Sequence, residues 1–261
     1  MPEDRATMPP PPAQPAPGLR AHVAHAAGVL GLLALPARCR ICHGWPAQTL
    51  CVDCTACFAD TARRCPHCAL PLAPAAPSGP CAACQRRPPA LDWALTRQDY
   101  AYPWSGLLAR LKFGNDLGLA RALGRHMAAT PGLAERLTSV DVVIPLPLSR
   151  QRLAERGFNQ SAALARALLS AATLARPPAL RPGWLEKHRD TPPQHGLSHA
   201  QRQANARGAY RVPAARAHQL PGSRILLVDD VMTTGASLGA AAAALKRAGA
   251  REVGAVVLAR A

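Results

Sequence analysis

From residue 91 onward, short apolar runs alternate with stretches whose apolar residues recur every three to four positions. Val140-Asp141-Val142-Val143-Ile144 is a β-branched run stopped by Pro145, which predicts a short buried strand. Arg224-Ile225-Leu226-Leu227-Val228 predicts a second strand, and Val253 to Leu258 a third. Helical periodicity marks Leu107 to Phe113 and Leu117 to Ala129, and Asn159 can cap a helix from Gln160 to about Ala172. Ser237 to Ala248 predicts an alanine-rich helix with Gly249 as its stop. Strand, helix and strand within 35 residues, 224 to 258, form a βαβ unit, so the class is α/β with a parallel sheet. Residues 173 to 223 are rich in Pro, Gly, Arg and Gln with few apolar anchors, the pattern of a long mobile insertion.

The first third of the chain lacks such periodicity. Residues 1–20 hold seven prolines and predict a disordered tail. An apolar run follows, from Ala26 to Leu35, about half the length of a membrane span. It superficially resembles a signal peptide, but Glu3, Asp4 and the absence of an A-x-A-like cleavage site argue against export, and a cytoplasmic location is expected. Residues 36–90 are too poor in large apolar side chains to fold by burial alone. The expected organisation is a partly disordered lead-in over 1–35, a cysteine-rich domain over 36–90 and an α/β domain over 91–261.

Composition supports a folded protein: 49% of the 261 residues are hydrophobic and 18% charged. The formal charge of +16, from 31 Lys+Arg against 15 Asp+Glu, favours anionic partners without choosing between nucleic acid and phosphorylated small molecules. Residues 140–215 alone carry eleven cations against four acids, a net of +7. Aromatic residues are only 4% of the chain, so platforms for stacking bases are few.

Eight of the nine cysteines form four Cys-x-x-Cys turns: Cys39/Cys42, Cys51/Cys54, Cys65/Cys68 and Cys81/Cys84. Zinc takes four thiolates tetrahedrally and each turn supplies two, so the array predicts two structural zinc ions. Four thiolates leave no position for water, which excludes a catalytic role. Sequential pairing is the simplest arrangement, a cross-braced one stays open, and a disulfide framework fits the paired spacing poorly. Cys57 stands three residues after Cys54 and reads as a buried thiol or a substitute ligand. The histidines have no spacing that forms a site, and His67, inside a cysteine turn, is expected to tune or shield the zinc there.

The most informative segment is Ile225-Leu226-Leu227-Val228-Asp229-Asp230-Val231-Met232-Thr233-Thr234-Gly235-Ala236-Ser237. Two carboxylates end a strand, and a turn with hydroxyls and a glycine then opens a helix. Ligands of open α/β sheets bind at such strand ends, and the amides of a helix start suit phosphate. Carboxylates beside a phosphate cradle must address something else, and vicinal sugar hydroxyls are suitable donors.

All 13 positions of that segment resemble the phosphoribosyl pyrophosphate (PRPP) motif of type I phosphoribosyltransferases. The resemblance implies that Asp229 and Asp230 hold ribose hydroxyls while Thr233, Thr234, Gly235, Ala236 and Ser237 cradle the 5′-phosphate. A second block, Val143-Ile144-Pro145-Leu146-Pro147-Leu148-Ser149-Arg150-Gln151-Arg152-Leu153-Ala154-Glu155-Arg156-Gly157-Phe158-Asn159-Gln160, resembles the ComF family, whose relatives include GntX. That family joins a double zinc ribbon to a phosphoribosyltransferase-like domain, and the resemblance runs from about Leu32 to Leu258. It implies pyrophosphate contacts from Ser149, Arg150, Arg152 and Arg156, with Mg²⁺ accompanying PRPP. It also implies that the Arg189 to Asn205 segment closes over substrate. The same resemblance implies a role in natural transformation, with single-stranded DNA and DNA-uptake proteins as partners and PRPP or another phosphorylated ribose as ligand. The alternative is an active phosphoribosyltransferase; no acceptor site and no catalytic residue can be assigned from the residues.

Overall fold

The computed structural model describes residues 37–45, 48–114, 116–188 and 208–261. The expected tail and the Arg189 to Asn205 closing segment lie outside the described residues. Two short helices belong to the cysteine segment, α1 (Val52–Cys57) and α2 (Ala82–Arg86). Strand β1 (Trp93–Asp99) is followed by helices α3 (Trp104–Phe113), α4 (Leu117–Ala128) and α5 (Leu133–Ser139). Then come β2 (Val142–Pro145), α6 (Arg150–Arg156), α7 (Gln160–Ala171) and β3 (Ala179–Leu180). A ribbon of β4 (Glu186–Lys187) and β5 (Tyr210–Arg211) and a turn of helix, α8 (Ala214–Ala217), precede β6 (Arg224–Met232), α9 (Ala236–Arg247) and β7 (Glu252–Arg260).

Five strands form one parallel sheet in the order β1-β7-β6-β2-β3, and β4 and β5 pair antiparallel beside it. Along β6 the residues alternate between two apolar layers. Leu226 and Val228 join Leu108, Leu123, Leu164 and Leu168 on one side, and Ile225 and Leu227 join Leu238, Ala241 and Leu245 on the other. A sheet covered on both faces explains why its central strands read as unbroken apolar runs rather than as alternating ones. Of the two helices between β2 and β3, α7 therefore packs on one face, while α9, which follows β6, packs on the other. Neighbouring strands with opposite departures form a topological switch point, which opens a crevice at their carboxyl ends.

The predicted helices and strands are present with shifted ends. β6 continues four residues past the predicted stop at Val228, through both acids, because β7 pairs with it as far as Met232. Asn159 caps α7 through the amides of Ser161 and Ala162. The insertion over 173–223 has more anchors than the sequence suggests: Trp184, Leu185, Ala209, Tyr210 and Leu220 are all buried against the α9 side.

Candidate functional site

Register places the acid pair. β2 pairs with β6 from Val142↔Ile225 to Pro145↔Val228, and then ends. β6 runs on, so Asp229 and Asp230 stand in the gap where the chain after β2 turns away. Both are buried, at 9% and 5% exposure. Asp229 Oδ1 accepts from Ser161 Oγ at 2.8 Å and from the Asp230 amide at 2.9 Å. The Lys112 ammonium lies 2.6 Å from Asp230 Oδ2, but out of line for a hydrogen bond, so among the described residues that oxygen has no aligned donor. Burial, and then the Asp230 charge, push the Asp229 carboxyl up to about 8. Tyr210, buried beside the pair, contacts the Ser237 side chain, and burial and the Asp229 charge push its phenol up. The pair thus holds acceptor capacity that the protein itself leaves partly unfilled.

Beyond β6 the chain turns through Thr233, Thr234 and Gly235 into α9. Gly235 takes φ +75°, a left-handed conformation that glycine adopts without steric cost. Because glycine is the N-cap, no side chain caps the helix. Among the described residues, only the Ala236 amide is met by a side chain, Thr234 Oγ1 at 3.3 Å. The turn therefore brings amides without a capping side chain and the Thr233 hydroxyl to the end of β6, while Ser237 meets Tyr210.

The four residues expected after β2 divide into distinct local roles. Ser149 is buried and its Oγ caps α6 through the Arg152 amide at 3.4 Å. Arg150 is exposed, and Arg152 is half-buried with its charge near Tyr210. Arg156 donates to Gln160 Oε1 at 2.7 Å and lies over the Phe113 ring at 5.6 Å.

Each group of four cysteines, Cys39/Cys42/Cys51/Cys54 and Cys65/Cys68/Cys81/Cys84, gathers its sulfurs within 4.8 Å of one another. The pairing is the sequential one, and exposed Cys57 belongs to neither cluster. Backbone amides point at the sulfurs: Cys51 N to Cys39 Sγ at 3.4 Å and Cys81 N to Cys65 Sγ at 3.3 Å. Burial alone would raise the Cys39 thiol, but the Cys51, Ile41 and Cys42 amides outweigh it and bring it down to about 6. Cys65 is lowered to about 7 in the same way, by the Cys81, His67 and Cys68 amides acting against burial. An all-sulfur, amide-supported donor set fits a tetrahedral thiophilic cation, as a zinc ribbon requires.

Comparison with known proteins agrees with this architecture. Residues 180–261 match the phosphoribosyl transferase domain. "Competence protein F" of Haemophilus influenzae is 31% identical over 181 residues, 68% of this chain and 77% of that protein. "DNA utilization protein YhgH" of Escherichia coli K12 is 34% identical over 179 residues, covering 65% and 73% respectively. The chain belongs to the ComF/GntX family.

For this ComF/GntX-family chain, Ser161 and Tyr210 at the acid pair escape a reading of motifs, and Lys112 lies in the Tyr100 to Phe113 stretch that resembles the family but takes no role from it. Lys112 ends a helix far upstream and is brought in only by the packing of α3. Ser161 carried a usable signal, since it follows the capping Asn159 by two and must open the first turn of α7. Arg260 also escapes such a reading: its Nε donates to the Cys68 carbonyl at 2.9 Å and its Nη1 to the Met232 carbonyl at 3.0 Å and to that of Thr233.

Proposed function

We propose that this chain is a cytoplasmic competence-type protein that binds PRPP, or a related phosphorylated ribose, and handles single-stranded DNA during natural transformation. In this reading residues 36–90 form a double zinc ribbon and residues 91–261 the phosphoribosyltransferase-like domain. The observation that carries the ligand half is the buried acid pair beneath an uncapped, glycine-bearing helix start. Asp229 and Asp230 accept the ribose hydroxyls, while the Thr233 to Ser237 turn donates to the 5′-phosphate. Arg150, Arg152 and Arg156 supply forked donors toward the pyrophosphate. Ser149, as a helix cap, sets the position of that cationic turn. The turn offers cations rather than carboxylates, so Mg²⁺ enters on the diphosphate, where it offsets charge. The DNA half is supported by the names of the two relatives and by the +7 balance over residues 140–215. Zinc is the proposed occupant of both sulfur clusters, held by the eight cysteines already named.

Calorimetric titration of Mg·PRPP tests the ligand half. Binding by the wild type and its loss in Asp229→Asn/Asp230→Asn are expected; no heat with the wild type removes the ligand claim. A second reading, favoured by the cationic turn after β2, is turnover. The bond from ribose C1 to the diphosphate oxygen would break, an acceptor nucleophile would bond to C1, and diphosphate would leave toward Arg150, Arg152 and Arg156. Diphosphate release from PRPP in a screen of nucleophilic acceptors, abolished by Asp229→Asn, distinguishes turnover from binding alone.

A further inference from the structure

A groove on the helical layer belongs to neither the acid pair nor the cysteine clusters. It lies between α4 and α7, encloses about 570 Å³, and is lined by Arg121, Arg125, Arg166, Ser170 and four alanines. The two helices approach closely, because a Cβ on Gly124 would overlap Ala167 and come within 2.9 Å of the Leu164 carbonyl. Alanine walls keep the trough open and leave the guanidinium groups as its chemistry.

The charge pattern is not that of an ordinary solvated face. α4 and α7 contain no Asp or Glu. All three arginines are exposed, and among the described residues none forms an ion pair with a carboxylate. Arg121 and Arg125 stand one turn apart, where like charges weaken a helix. An anion that lies along the trough removes that repulsion.

We propose that this groove binds the phosphodiester backbone of a single nucleic-acid strand, an inference that rests on the DNA half of the proposed function. Arginine forks match phosphate oxygens, and the Ser170 hydroxyl adds a donor. No aromatic side chain lines the groove, so bases have no platform to stack on and recognition is independent of sequence. A trough between two nearly touching helices receives one strand along its length, whereas a duplex meets only the rims. α7 also delivers Ser161 to the acid pair at its first turn, so one helix serves both the strand and the sugar-phosphate site.

The test uses the zinc-loaded full chain and a labelled oligothymidylate across a salt series. Arg121→Gln/Arg125→Gln/Arg166→Gln should lower the slope of log K against log salt by about 2, at roughly 0.7 per lost phosphate contact on single strands. Its metal content and PRPP heat should match the wild type, which shows that the fold is intact. A charge-matched control, Arg216→Gln/Arg247→Gln/Arg251→Gln, should leave the slope near that of the wild type. An unchanged slope in the groove variant, or an equal fall in the control, overturns the assignment. So does capture of the wild type by phosphatidylglycerol vesicles in preference to the oligonucleotide, if the groove variant abolishes it. A wild type that fails to retain the oligonucleotide better than a basic control protein overturns the DNA reading itself, a result distinct from failure of the groove.

Discussion

The cysteine segment and the sheet solve the same problem with different means. Around the sheet, two apolar layers bury Leu, Val and Ile from eight helices and strands, so the stabilisation is spread over many side chains. Among the described residues between Cys39 and Arg87, the buried apolar ones are Leu50, Ala69 and four of the cysteines, and the helices are only six and five residues long. Helices that short do not persist in water by themselves. One region is held by many small increments, the other by two clusters whose sulfurs repel unless a cation sits among them. The difference predicts where each will break.

Metal removal should produce the largest effect. Chelation at neutral pH is expected to release two equivalents of zinc per chain and expose the eight cluster thiols to a thiol reagent, with about 10 kcal/mol of folding free energy lost from that segment. Near- and far-UV signals from the sheet should largely survive. Collapse of the sheet along with the clusters would show that the two regions fold as one. Next in size, Leu226→Ala should cost about 2–5 kcal/mol in denaturant titrations, since Leu226 is fully buried on the central strand. Zinc content should be unchanged below the transition.

Two buried groups give the sheet opposite pH dependences. His126 stacks on Trp104 at 4.4 Å and shares a 2.8 Å hydrogen bond with Gln98 Nε2; burial, with a smaller effect of Arg97, lowers its pKa to about 4. The unfolded chain binds this proton first, so stability present above pH 6.5 is lost as pH falls toward 4, by roughly 3 kcal/mol when complete. Asp229 acts in the other sense. Its folded value is raised from 3.8 to about 8, so the folded state holds the proton and stability declines as pH rises through that window. Asp229→Asn should therefore raise the thermal midpoint near pH 7.5 while removing the PRPP heat, and His126→Gln should flatten the acid limb. A fall in the midpoint of Asp229→Asn would refute the burial account.

How much of this was legible depends on whether the signal was local. The acid pair, its turn and the eight clustered cysteines lie in short windows, where strand, cap and spacing chemistry act on neighbours, and the structure brings Asp229 through Ser237 to one strand end. α7 was legible from its Asn159 cap alone. β1 was not, because Trp93-Ala94-Leu95-Thr96-Arg97-Gln98-Asp99 has a mixed pattern set by its parallel partner β7. The buried anchors in 173–223 were missed for a related reason: Trp184 and Tyr210 are isolated in sequence and meet only on the α9 face. Lys112 is the clearest case, since an ion pair between positions 112 and 230 leaves no trace in either window.

The smallest predicted effect concerns the seam between the two regions. One guanidinium, Arg260, is 8% exposed and donates both to the Cys68 carbonyl in the second cysteine cluster and to the carbonyls of Met232 and Thr233. Those last two carry the chain from β6 into the turn proposed for phosphate. A lysine keeps the charge but has no planar fork, so it cannot hold both sides at once. Arg260→Lys should cost roughly 1.5–3 kcal/mol, the value of hydrogen bonds from a charged group, and weaken Mg·PRPP several-fold while zinc stays at two equivalents. Chelating the wild type should weaken PRPP by a similar factor, because Cys68 then loses its fixed position. In Arg260→Lys the same chelation should have little further effect, since the link it would break is already gone. Equal losses on chelation in both proteins would show instead that the metal supports the turn by another route, through the Pro66 carbonyl that accepts from the Ala94 amide at 2.8 Å or the Phe58 carbonyl that accepts from Trp104 at 3.3 Å.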